Sequence, residues 1–112
     1  MDPATIVVIT TTFPGADAAR ACAETLVAAR LAACAQVEGP VVSVYRWEGA
    51  VERADEWRLL CKTSRAAGEA CRAALVAAHP YRLPQVTWAE MHATADYAAW
   101  VERSTGHGGD AS

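Results

Sequence analysis

The groups in this chain that could bind a metal or act as nucleophiles are few. They are Cys22, Cys34, Cys61 and Cys71, the imidazoles of His79, His92 and His107, and Lys62, the only lysine among ten basic residues. Thiolates select soft metals and imidazole is the commonest ligand for copper and zinc. Cys34 and His79 are the candidate metal ligands. Cys34 opens a strand and, if a hairpin register runs back from the turn at Glu48-Gly49, it lies close to Cys61 and Lys62 across the ladder. An ammonium beside a thiol favours the thiolate, although a free cysteine is more often simply buried. His79 ends a helix just before Pro80, where an imidazolium also suits the helix C-terminus without any metal. Cys22 and Cys71 fall on inward helix faces and are assigned to packing. His92 closes a strand and His107 lies near the C-terminus, neither with a visible partner. No C-x-x-C pair signals a zinc knuckle.

A second group has a different chemistry. Lys62 and Glu56 share one face of a strand with Arg58 between them, and Tyr45 and Trp47 stand on the opposite hairpin arm. A solvated charged face is the plain reading. The alternative is a polar pocket floored by aromatics, suited to a small anion or a carboxylate-bearing ligand. The chain has no G-x-S-x-G, no Gly-rich phosphate loop and no H-E-x-x-H. A binding protein is therefore expected, with no catalytic residues.

These side chains are positioned by elements that the hydrophobic periodicity predicts. Thr5 to Thr12 is almost wholly β-branched and suits a strand covered on both faces. Ala16 to Leu31 carries Ala19, Cys22, Ala23 and Leu26 at helical spacing. Ala33 to Trp47, interrupted at Gly39-Pro40, and Ala50 to Thr63 alternate as two arms of a long hairpin. Ser64 can cap a helix to about Ala78, Leu83 to His92 is a further strand, and Thr94 caps a last helix bearing Tyr97, Trp100 and Val101. The order βαββαβ plus a helix implies an α+β, ferredoxin-like sandwich of four antiparallel strands. One domain is expected over residues 1–105, with a disordered tail over 106–112.

Composition narrows the partners. The chain has 112 residues and a formal net charge of −3, so it has no field that gathers phosphate backbones, and no nucleic acid is expected. The third strand also lacks the basic residue, glycines and stacked aromatics of an RNA-binding sheet. No apolar run approaches the ~18 residues that span a bilayer, and no basic n-region opens the chain. The expected place is the cytoplasm, with no membrane partner and all four cysteines as thiols.

Five blocks carry a resemblance: Arg30-Leu31-Ala32-Ala33-Cys34-Ala35, Tyr45-Arg46-Trp47-Glu48-Gly49, Leu60-Cys61-Lys62-Thr63, His79-Pro80-Tyr81-Arg82-Leu83-Pro84 and Tyr97-Ala98-Ala99-Trp100. In this order and spacing the chain resembles, over nearly its whole length, the CutA divalent-cation tolerance proteins. The resemblance implies a cytoplasmic, ferredoxin-like homotrimer linked to tolerance of copper and other divalent cations, with no established reaction. Cu2+ or another divalent cation is then the implied ion. In some members copper is held by a cysteine near the end of the first strand and a histidine pair before Pro-Tyr. The corresponding positions here are Thr11, and Ala78 followed by His79, so one ligand of that set is kept. The blocks also imply a ligand-binding set of Lys62, Glu56, Tyr45, Trp47, Tyr81 and Trp100. On that alternative the protein is a small-molecule-sensing trimer with its ligand in the cleft between chains.

The hairpin itself argues for an oligomer. Its first arm would reach roughly 50 Å, whereas helices of about fifteen residues reach ~23 Å. The uncovered half carries Tyr45 and Trp47 along an unpaired edge, which neighbouring chains would cover.

Overall fold

The structure, a computed structural model, describes residues 4–106. The elements are β1 (Thr5–Phe13), α1 (Ala16–Ala28), β2 (Cys34–Trp47), β3 (Ala50–Thr63), α2 (Arg65–Ala78), β4 (Val86–His92) and α3 (Ala95–Arg103). The strands form one antiparallel sheet in the order β2-β3-β1-β4. This is the ferredoxin-like arrangement expected from the element order.

The β-branched run of β1 becomes a central strand, paired with β3 on one side and β4 on the other. Its residues alternate between two cores, as the period of a strand requires. Val7, Ile9 and Phe13 pack with Leu59 and Cys61 of β3 beneath Ala19, Ala23 and Leu26 of α1 and Cys71 and Leu75 of α2. Ile6 joins Ala33 under Ala98 and Val101 of α3, with Val8 packed against them. The sheet is thus covered by α1 and α2 on one face and partly by α3 on the other.

β1 runs one residue further than the sequence expectation, to Phe13, and β2 begins one residue later, at Cys34; three further boundaries also differ. α1 ends at Ala28 instead of Leu31, because Arg30 takes a left-handed φ of 62° that breaks the helix. β4 begins at Val86 instead of Leu83, and Pro84 has no N–H to extend the ladder. Gly106, placed in the tail, donates its N–H to the Arg30 carbonyl at 2.9 Å. The rest of the tail expectation, residues 107–112, lies outside the described residues. Two helix caps are as expected: Ser64 Oγ accepts from Ala67 N–H at 3.2 Å and Thr94 Oγ1 from Tyr97 N–H at 3.4 Å.

The hairpin closes on a two-residue turn in which Glu48 and Gly49 both have positive φ, 49° and 82°. That is the turn whose twist matches antiparallel strands. A register shift falls between Glu38 and Val41, at Gly39-Pro40. Gly39 has φ 154°, and a Cβ there would stand 2.7 Å from Trp57 Cδ1. Its 14-residue arms span about 46 Å, against about 20 Å for helices of 13 and 14 residues. The long axis of the molecule, 48 Å, reflects this difference. Beyond the helices Val42, Val44 and Val51 are 66%, 60% and 66% exposed.

Candidate functional site

His79 is fixed by the end of α2, whose last turn delivers it against the end of β1. Its ring stacks on Phe13 with centroids 4.5 Å apart. Tyr81 N–H donates to Nδ1 at 3.1 Å, which leaves the proton on Nε2, and Nε2 donates to the Thr12 carbonyl at 2.7 Å. This is a neutral imidazole with both nitrogens engaged. Tyr81 continues the chain of contacts: its hydroxyl donates to Glu56 Oε2 at 2.7 Å, and its ring lies 5.0 Å from that of His79. Burial, then the hydrogen bond to Glu56, then the charges of Glu56 and Tyr45, push the Tyr81 phenol above its ordinary range. Four of the expected residues, His79, Tyr81, Glu56 and Tyr45, therefore share one region.

Other expected neighbours are apart. Cys34 stands directly opposite Lys62, and Lys62 opposite Val8, so thiol and amine share the α3 side of the sheet as the register predicted. Cys61 is opposite Ala35 and points the other way, into the main core. The row of Cys34 crosses β1 at Val8, while His79 meets β1 at Thr12. Four residues of strand separate them by about 13 Å, so one cation cannot bridge the two within a chain. Lys62 and Glu56 are six residues apart on β3, about 20 Å, and Arg58 between them pairs with Glu38 at 2.7 Å.

Trp47 lies under the Arg82 guanidinium at 5.6 Å, and Arg82 is 3.9 Å from Glu48. Trp100 is elsewhere: it lines a recess between the ends of α1 and α3 with Val27, Arg30 and Arg103. Sequence reasoning missed the Thr12 carbonyl, Arg82, Arg30 and Arg103 as neighbours of the site residues. Arg103 alone carried a signal, being a basic residue in the last turn of a helix.

The three positions that the resemblance matches to copper ligands do not fit the ion. Thr11 is fully buried and its hydroxyl has no hydrogen-bond partner. A neutral hydroxyl is a poor substitute for a thiolate, Ala78 offers a methyl group, and His79 has no free nitrogen. Among the described residues no group of three or more His, Cys, Asp and Glu side chains is placed to hold a metal. The cysteines are all free. The neighbouring Cys71 thiol, as a hydrogen-bond partner, and then burial push the Cys61 thiol well above the ordinary range, and burial also raises that of Cys22.

The sheet order, the long hairpin and the extra helix on the second face define a ferredoxin-like sandwich. A family model described as the CutA1 divalent ion tolerance protein matches residues 7–104. The chain is 34% identical over 100 residues to the divalent-cation tolerance protein CutA of Thermus thermophilus, covering 88% of this chain and 97% of that one. A probable divalent-cation tolerance homolog of Encephalitozoon cuniculi is 32% identical over 94 residues, covering 83% and 82%. The solved structure of the Thermus thermophilus protein superposes with a TM-score of 0.85 at 33% identity, over 90% and 99% of the two chains. CutA of Xylella fastidiosa gives 0.87 at 33% identity, over 90% and 98%. The chain belongs to the CutA1 divalent ion tolerance protein family. No helix among the described residues is long and apolar enough to cross a membrane.

Proposed function

We propose that the protein is a cytoplasmic homotrimer that serves divalent-cation tolerance by binding and catalyses no reaction. The observation that supports the assembly is the uncovered end of the hairpin. Val42, Val44 and Val51 are exposed there beside Tyr45 and Trp47, and β2 is an edge strand with unpaired backbone groups. Such an edge invites pairing, and closed symmetry limits it to a small ring. The number three follows from the resemblance. Copper is the cation proposed, and Cys34 is its ligand, since it is the one cysteine outside the main core cluster and its packing shell. His79 lies about 13 Å away along β1 with both ring nitrogens engaged, so it is not a second ligand to that ion within one chain.

Sedimentation equilibrium at micromolar concentration should give three times 11.9 kDa. Titration of the untagged protein with copper should then show binding that Cys34→Ser weakens and Cys71→Ser does not. A well-folded monomer, or copper binding indifferent to Cys34→Ser, would count against the proposal.

A second reading is a trimer that senses a small molecule. One specific observation favours it: Glu56, Tyr81 and His79 form a connected polar chain next to Tyr45, held in place before any ligand arrives.

A further inference from the structure

We propose that the recess between the end of α1 and the last turn of α3 binds a small organic anion, a flat apolar body bearing a phosphate or carboxylate. This rests on the small-molecule reading but puts the site within one chain. The recess is a half-open hollow of about 500 Å3, a volume inside the range of small-ligand sites. Val27 and Ala33 form its apolar side, Trp100 its aromatic wall, and Arg30, Arg103 and Ser104 its polar side.

Charge selects the ligand. Among the described residues Arg20, Arg58, Arg65 and Arg82 each pair with a carboxylate; Arg30, Arg46, Arg53, Arg72 and Arg103 do not, and of these Arg30 and Arg103 are the two that line the recess. Both α1 and α3 end at the recess, and each helix C-terminus contributes about −0.5 of a charge. Two guanidiniums outweigh that and leave about +1, in a chain whose formal net charge is −3. Arg30 is also immobilised: its Nε donates to the Gly106 carbonyl at 2.7 Å and its Nη2 to the Arg103 carbonyl at 2.6 Å. A guanidinium has five N–H donors, so three remain, already oriented.

Latching the C-terminal segment explains two of those donors and the left-handed backbone of Arg30. It does not explain Arg103 or an indole left 39% exposed on the recess wall. Tyr97 lies 5.6 Å from Trp100 on the same helix and supports the ring. A planar ligand stacked on the indole would carry its anionic group toward the two guanidiniums, the combination that arginine and tryptophan recognise together.

The test is calorimetry and tryptophan fluorescence on the intact protein with phenyl phosphate and benzoate, set against inorganic phosphate and phenol. Saturable binding of phenyl phosphate or benzoate is expected, with inorganic phosphate and phenol at least tenfold weaker. Arg103→Gln and Trp100→Phe should each weaken it at least tenfold without moving the melting temperature. Equal binding by inorganic phosphate would overturn the aromatic half of the site. Binding kept in Arg103→Gln and Trp100→Phe but lost in Tyr81→Phe would overturn this site and leave the small-molecule reading standing. No saturable binding by either aromatic anion would overturn it outright.

Discussion

Replacing His79 with alanine removes two hydrogen bonds and a stacked ring, besides the tilted contact with the Tyr81 ring. The Thr12 carbonyl and the Tyr81 N–H lose their partners, and Phe13 loses the ring stacked 4.5 Å from it. Each hydrogen bond contributes about 1 kcal/mol net, and a stacked ring pair about 0.5–1.5 kcal/mol beyond its buried area. The sum is about 2.5–3.5 kcal/mol, and both bonds are only partly buried, so the lower end is favoured. Urea unfolding should be followed by tryptophan fluorescence after chelator treatment, at one fixed protein concentration because assembly stabilises the folded state. With a slope of about 1.5 kcal/mol/M, the midpoint for His79→Ala should fall by roughly 1.7–2.3 M, toward the smaller figure. If the chelated variant matches the parent protein, or loses stability only relative to a copper-loaded parent, then His79 serves a metal and is not a latch between α2 and β1.

Gly39→Ala should lower stability by about 2–4 kcal/mol in the same assay, since its Cβ meets Trp57 Cδ1 at 2.7 Å and its φ of 154° is unfavourable for alanine; a neutral effect would mean that the bulge can shift. Val44→Lys should shift sedimentation toward monomer while leaving far-ultraviolet dichroism unchanged, because the side chain is exposed in the single chain. An unchanged mass would place the interface elsewhere. Tyr81 holds its proton more tightly folded than unfolded, chiefly through burial and then through Glu56. The stability it adds is complete below pH ~10, where unfolded tyrosine ionises, and declines as pH rises further. The stability gap between the parent and Tyr81→Phe should therefore narrow above pH 10. A constant gap would refute it.

What could be read from the chain was what depends on near neighbours. The pairing of Cys34 with Lys62 follows from counting back from the two-residue turn and allowing for Gly39-Pro40, and the structure has it. Ser64 and Thr94 announce their helices by hydroxyls placed three residues before the N–H they accept. The end of α1 was hidden because the left-handed position carries Arg30 where glycine would have marked it. The site was less visible for the same reason at longer range. The His79 bond to Thr12 joins residues 67 apart, and the Arg30 bond to Gly106 spans 76. Neither leaves a local pattern, since only the packing of helices on the sheet brings those groups together. The set Lys62 and Glu56 illustrates the opposite limit: strand parity placed them on one face, but parity carries no information about distance.

The position of β1 between β3 and β4 also governs the order in which the chain can be assembled as it is made. The earliest strand in the chain is one of the two central strands and needs two partners, both of which follow it in sequence. Its nearest, β3, is finished about 50 residues later, which at roughly 5–20 residues per second is about 3–10 seconds of synthesis. The hairpin of β2 and β3, closed by two residues, forms within about 1–10 microseconds of its completion. It is ready before β4 exists, and it is the surface that captures β1. Until then the run Thr5 to Phe13, apolar and β-branched, has no edge of its own chain to bind. The hazardous interval for this strand is its translation, and α3, which closes over Ile6, ends that interval only after β4 has been made.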